Sequence, residues 1–455
     1  MLPDVALLDI FDFYVHEALT DAWYTLVHVC RKWRSIVFGS PRRLDLQLFC
    51  TASTPVKETL AAWPPLPIVI WVHSYGEWGV DNIVPALEQN DRLHIINLFN
   101  LPSSYLEKVL PVMQRPFPAL TRLQLRPIGD AVTPIINPAS FLGGSAARLQ
   151  TLILDGIPFP ELPKLLLSAT HLVYLELWRI SPAGYISPEA LVTGLKPLTK
   201  LESLLIEFES PQCRPDPKSR RPPPKIRTLL PTLHDLQFKG VCEYLEGLMA
   251  QIDTPLLDDL AITFFNQLEF RTPELTQLIT RTPKFKAHDE ARVYFSDVDV
   301  SVTLPQSIDG ELELVISCNH SDWQLSSMAQ ICGESFPRAV MAVVEHLYIL
   351  EDGNFDWQEN IENRQWLEFF VPFTSVKNLY ISSNFTPHIV LALQELVTSR
   401  KRDKTTLLLP ALQTLFLEEP LPAGPIQETI GQFVVARQLA DHPVAISLWE
   451  GKVND

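Results

Sequence analysis

The stretches LTRLQL (120–125), LQTLIL (149–154) and LVYLEL (172–177) share one internal phase, with leucine at the first, fourth and sixth positions. The unit returns as LESLLI (201–206), LHDLQF (233–238), LDDLAI (257–262), VEHLYI (344–349), VKNLYI (376–381) and LQTLFL (412–417). Weaker members are LHIINL from Leu93, ARVYF around Val293 and LELVI around Leu312. Side chains of a strand alternate, so the last two apolar residues of each unit lie on one side. A single unit cannot bury them, but stacked units can.

Successive units are separated by roughly the low twenties to the mid-thirties of residues, against about 20–29 in regular leucine-rich repeats. The expected fold is therefore α/β: an irregular leucine-rich repeat solenoid, a horseshoe with parallel strands on the concave face and helices on the convex face. The segments FPELPKLLLSAT and TPHIVLALQELVTSR carry the helical apolar spacing that the outer face needs. The alternative, an ordinary α/β domain with Leu-rich strands, does not explain why the six-residue unit keeps its phase.

Bulk properties agree with a repeat protein. The 455 residues are too many for one ordinary core but not for a stack. Proline is abundant, 39 residues, so elements should be short. Net charge is −16, from 37 basic and 53 acidic residues, which argues against nucleic acid as a partner. No apolar run is long enough for a membrane span, and MLPDVALLDIFDF is no signal peptide. Six scattered cysteines without a C-x-x-C pair read as free thiols. The expected setting is cytoplasm or nucleus.

Catalytic signatures are absent: no H-E-x-x-H, G-x-x-x-x-G-K-[ST] or G-x-S-x-G occurs. HDE (288–290) reads as a surface turn, and SDVDV (296–300) as a strand with one wet face. No metal, cofactor or catalytic residue is expected. Residues 212–227, with six basic residues and five prolines, read as an extended insertion.

In each unit the residues flanking the inward leucines face the open side. These positions give a candidate substrate-binding surface: Arg122, Gln124, Arg126, Tyr174, Glu176, Trp178, Gln237, Lys239, Tyr348, Tyr380 and Phe416. Aromatics and Arg are the types enriched at binding hot spots.

The first fifty residues have a different pattern. PDVALLDIFDFYVHEAL suits a helix with Pro3 at its first position and Asp4 in its first turn. A second helix is expected from about residue 20, with Leu26, Val29, Cys30 and Trp33 on one stripe extended by Ile36 and Val37. The segments LPDVALLDIF (2–11) and VCRKWRSIV (29–37) resemble the opening Leu-Pro helix and the Val-Cys-Arg-x-Trp helix of the F-box. Val5 stands where that family carries an acid. With repeats behind it, the chain is similar to the F-box proteins of mushroom-forming fungi.

The resemblance implies a substrate-recognition subunit of a cullin–RING (SCF-type) ubiquitin ligase, with the F-box on a Skp-type adaptor. Carried over residue by residue, it implies adaptor contacts at Leu2, Pro3, Leu7, Leu8, Ile10 and Phe11, and at Val29, Cys30, Trp33 and Ile36. The expected organisation is a helical module over 1–50, a connecting helix and linker over 51–65 and repeats over 66–450. The rival expectation is a non-catalytic interaction scaffold or inhibitor with no role in ubiquitin transfer.

Overall fold

A computed structural model describes residues 2–17, 22–39, 46–62, 65–71, 78–128, 136, 140–215, 226–267, 269–286, 288–305, 310–318, 321–351, 363–398, 408–419 and 425–451. The chain divides into two compact units, Met1–Ile186 with Thr193–Leu201, and Ser187–Val192 with Glu202–Asp455. Most of the basic, proline-rich insertion lies outside the described residues.

Unit 1 opens with three helices, α1 (Asp4–Glu17), α2 (Ala22–Val29) and α3 (Arg31–Gly39). Six strands follow: β1 (Leu46–Phe49), β2 (Ile68–Trp71), β3 (Leu93–Pro102), β4 (Arg122–Ile128), β5 (Thr151–Asp155) and β6 (Tyr174–Ile180). They pair in chain order and in parallel. The sheet therefore begins one strand earlier than the repeats suggest. LQLF (46–49) holds only two inward leucines and lacks the leading Leu that marks the unit, yet Leu46 and Leu48 are buried beside Ile68 and Ile70.

The repeat's phase becomes register. Leu123, Leu152 and Leu175 align across β4, β5 and β6, as do Leu125, Leu154 and Leu177. All six are buried. Each contributes about 1.5–3 kcal/mol by leaving water. Where the unit's leucines alternate with polar residues, the strand is half-buried by construction.

Unit 2 contains β7 (Ser203–Phe208), β8 (Thr228–Leu229), β9 (Asp235–Gly240), β10 (Ile252–Asp253) and β11 (Asp259–Phe265). It continues with β12 (Glu290–Phe295), β13 (Asp299–Pro305), β14 (Glu311–Ser317), β15 (His346–Glu351), β16 (Asn378–Ile381), β17 (Thr414–Glu418) and β18 (Ala445–Trp449). The two-residue strands β8 and β10 pair separately. The other ten run β7-β9-β11-β14-β13-β12-β15-β16-β17-β18.

The inversion of β12, β13 and β14 departs from a simple stack. Only residues 296–298 separate β12 from β13, too few for the crossover that a parallel neighbour needs. The pair is antiparallel. Ser296 closes the turn: its Oγ accepts from Asp299 N at 3.1 Å and donates to Asp299 Oδ1 at 2.7 Å. SDVDV is thus not one strand, because its first three residues are this turn. β12 and β14, two of the three weak repeat members, still run parallel to their outer neighbours β15 and β11.

Between strands the chain forms short helices with one buried face. In Pro273–Arg281, Pro273 occupies the first turn and Leu275, Leu278 and Ile279 are buried. Its N-terminus takes the Glu246 carboxylate, which accepts from the backbone N–H of Glu274 and Leu275 at 2.9 Å each. FPELPKLLLSAT supplies the helix Leu162–Leu166 and TPHIVLALQELVTSR supplies Thr386–Thr398, as their spacing predicts. HDE is a surface turn only at Asp289, since Glu290 already begins β12. His288 is buried and its Nδ1 lies 3.2 Å from the Pro305 carbonyl oxygen. Burial lowers its pKa.

Candidate protein-interaction surfaces

The helical module closes around a few side chains: Leu7 and Phe11 of α1, Leu26 and Val27 of α2, Ile36 and Val37 of α3 are buried. The rings of Phe11 and Trp33 lie 4.7 Å apart at 57°. Arg34 Nε donates to the Val27 carbonyl at 2.9 Å. The Lys32–Asp4 pair, at 3.0 Å, is exposed and contributes little.

The second helix expected from the sequence is two helices. Cys30 lies between α2 and α3 and caps the latter: its carbonyl accepts from Arg34 N at 3.0 Å, and its Sγ accepts from Trp33 N at 3.4 Å. The break ends the single apolar stripe. Leu26 stays buried, while Val29 is 53% exposed and Cys30 is exposed.

The ten implied adaptor contacts therefore separate. Leu7, Phe11 and Ile36 are internal, and Leu8 and Trp33 are half-buried. Leu2, Pro3, Ile10, Val29 and Cys30 face solvent. Reading α1 by motif missed two residues of the same outward face. Val5 and Phe13, each 66% exposed, lie on the side of α1 away from Leu7 and Phe11, and Ile10 stands at the edge between the two sides. The signal was available, since α1 carries apolar residues on both sides, interspersed with Asp9 and Asp12 on the outer one, and a small module can bury only one side.

On the strand face of unit 1, Arg122 and Tyr174 are exposed and Gln124, Glu176 and Trp178 are half-buried. Arg126 is not a spare cation. Its Nε lies 2.7 Å from Oδ2 of Asp155, whose other oxygen takes Arg179 Nε at 2.5 Å. Asp155 is buried and its role had no local signature. Strand alternation would aim Arg179 inward with Leu175 and Leu177. Its left-handed backbone, φ +47°, turns it instead toward Asp155. Trp178 Nε1 donates to Glu176 at 2.8 Å.

In unit 2, Gln237 donates to Asp235 at 3.3 Å and Lys239 pairs with Glu207 at 3.2 Å. Tyr348, Tyr380 and Phe416 occupy one register position on β15, β16 and β17. Adjacent strands are about 4.8 Å apart, and their rings stack: Tyr348–Tyr380 at 4.1 Å and 8°, Tyr380–Phe416 at 4.3 Å and 10°. Trp449 of β18 meets Tyr380 edge-on at 5.5 Å, and its Nε1 donates to the Ile381 carbonyl at 3.3 Å. Its strand carries no recognisable repeat unit, so the sequence did not bring it here.

A group of acids shares this face. Burial, then Asp235, Glu311 and Asp258, push Asp259 up to about 6. Burial and the charges of Glu311, Asp299 and Asp259 raise Glu313. Burial also raises the thiols of Cys50 and Cys242 to about 12 and, with Glu209 nearby, that of Cys213 to about 11. Among the described residues no three His, Cys, Asp or Glu side chains are grouped to hold a metal ion, and no helix is long and apolar enough to cross a membrane.

No protein-family model matches the chain, and no curated protein matches it. Two similar solved structures are the Rad7 and Elc1 complex in yeast and the leucine-rich repeat-containing protein LegL7 from Legionella pneumophila. The first is 11% identical over 93% of this chain and 91% of that chain, with a TM-score of 0.32. The second is 11% identical over 86% of this chain and 97% of that chain, with a TM-score of 0.28. At these scores neither likeness bears on function.

Proposed function

We propose that the protein is the substrate-recognition subunit of a cullin–RING ubiquitin ligase, acting in the cytoplasm or nucleus. The helical module is its F-box, docking a Skp-type adaptor, and the strand face of the repeats holds a protein substrate. One observation carries this: α1 buries Leu7 and Phe11 yet leaves Val5, Ile10 and Phe13 open. An apolar face left open beside a closed one marks a docking site for another chain. The motif resemblance over residues 2–11 and 29–37 supplies the adaptor's identity.

No residue of this chain performs chemistry in that role. The protein raises the local concentration of substrate near a charged conjugating enzyme and fixes its geometry.

The test is retention of the purified full chain by a Skp-type adaptor from the same organism. Wild type should be retained, and Ile10→Asp or Phe13→Asp should reduce recovery at least tenfold without lowering the melting temperature. A folded wild type that the adaptor ignores, where a known F-box binds, sinks the ligase role and leaves a non-catalytic interaction scaffold.

A further inference from the structure

On the strand face of unit 2 the cations are already engaged. Lys239 pairs with Glu207, and Arg292 pairs with Glu290 at 2.5 Å. Asp259 stands beside Glu311, next to the registered pair Leu260–Leu312, and Glu313 is one register step from there on β14. None of these three carboxylates has a basic partner among the described residues. Their proximity and partial burial raise the pKa values of Asp259 and Glu313, so a bound cation would relieve repulsion already present.

The stacked aromatic row begins three strands farther along, in the order β14-β13-β12-β15. That is about 14 Å across the sheet, the reach of about four or five extended residues. Lys and Arg combine a long apolar stem with a terminal charge. They can cover aromatic surface and deliver a cation to a carboxylate in one side chain or in neighbouring ones. An acidic segment would add to the repulsion instead.

The geometry points to an extended, Arg- or Lys-rich segment of a partner protein as the occupant of this face. Its charges lie on Asp259, Glu311 and Glu313, and its stems or apolar neighbours on Tyr348, Tyr380 and Phe416. The inference names the substrate class for the receptor proposed above and rests on the strand face being the side that holds substrate.

Fluorescein-labelled peptides of equal length, alternating Arg-Ser, Glu-Ser or Tyr-Ser, test it by anisotropy on the full chain at physiological ionic strength. The Arg-Ser probe should bind at least about tenfold tighter than either other probe. Asp259→Asn with Glu313→Gln should weaken it about fivefold or more, and Tyr380→Ala about threefold. Glu88→Gln with Glu107→Gln removes the same charge from exposed positions of unit 1 and should leave binding unchanged. If Tyr380→Ala does not fold, the carboxylate pair decides, since its replacement relieves repulsion.

Equal weakening by the unit 1 control shows adsorption to net charge and overturns the inference. So does preference for the Glu-Ser or Tyr-Ser probe, absence of Arg-Ser binding, or self-association through this face that Tyr380→Ala abolishes. The same variants are scored for adaptor retention. In the wild-type chain, adaptor retention without Arg-Ser binding overturns this inference alone; Arg-Ser binding without adaptor retention overturns the ligase role alone.

Discussion

The rings of Phe11 and Trp33 stand 4.7 Å apart and join α1 to α3. Trp33 is half-buried in that contact, and Phe11 wholly so. Trp33 therefore serves the module's own core. Phe11→Ala should cost about 3–5 kcal/mol of the module's stability, and Trp33→Ala less. Both should lose adaptor retention together with helical circular dichroism, whereas Ile10→Asp loses retention alone. Retention by a fully folded Phe11→Ala chain would contradict this allocation.

Asp155 joins Arg126 to Arg179 from a buried position. Asp155→Ala should lower stability by about 2–3 kcal/mol, because two charge-assisted hydrogen bonds go at once. Arg179→Ala should cost more than Arg126→Ala, since its side chain is 36% exposed against 56%. Urea unfolding of the three variants gives the order. A larger loss for Arg126→Ala would show that the bridge is not organised as described.

Asp259 gives a pH dependence of defined sign. Folding raises its pKa from 3.8 to about 6. Between these values the folded chain binds the proton more tightly than the unfolded chain. Its contribution is therefore most favourable below about pH 4, is lost as pH rises through 6, and stays unfavourable above. Asp235, Glu311 and Asp258 face it, and Asp258 is itself shared with His234 and Lys284. Asp259→Asn should raise the melting temperature at pH 7.5 but not near pH 3.5. An equal change at both values would rule out repulsion as the cause.

The cysteines should react unequally. Cys30 is exposed, whereas Cys50, Cys213, Cys242, Cys318 and Cys332 are buried. Burial holds the thiols of Cys50, Cys213 and Cys242 at about 11 to 12, so little thiolate forms at neutral pH. A thiol reagent should label one site quickly in the native chain and the rest only after denaturation. Cys30→Ser should abolish the fast phase, and adaptor binding should protect it.

Gly194 tests the packing of the outer layer in unit 1. A Cβ there would lie 2.8 Å from Pro163 Cα, a backbone atom that cannot swing away. Gly194→Ala should destabilise by about 1–3 kcal/mol, although alanine is the better helix former. A stabilised variant would show that the two segments separate easily.

The sequence by itself determined the stack. L-x-L fixes two inward side chains per strand, and repetition of the six-residue phase fixes parallel register, as Leu123–Leu152–Leu175 shows. Periodicity also placed the helices, because an apolar face has the same spacing whether or not its neighbour is known. What it left open depends on contacts between residues remote in sequence. Nothing in LVHVCRKWRSIV says that Cys30 ends one helix and caps the next, because the stripe suits an unbroken helix equally well. The turn at residues 296–298 reverses β13, and tertiary pairing then inverts the order of three strands, of which β12 and β14 resemble a repeat. Asp155 meets Arg179 only through a left-handed residue, and Trp449 reaches Tyr380 across an intervening strand. Local patterns record what each segment buries; which side chains stay open is settled only when the segments pack.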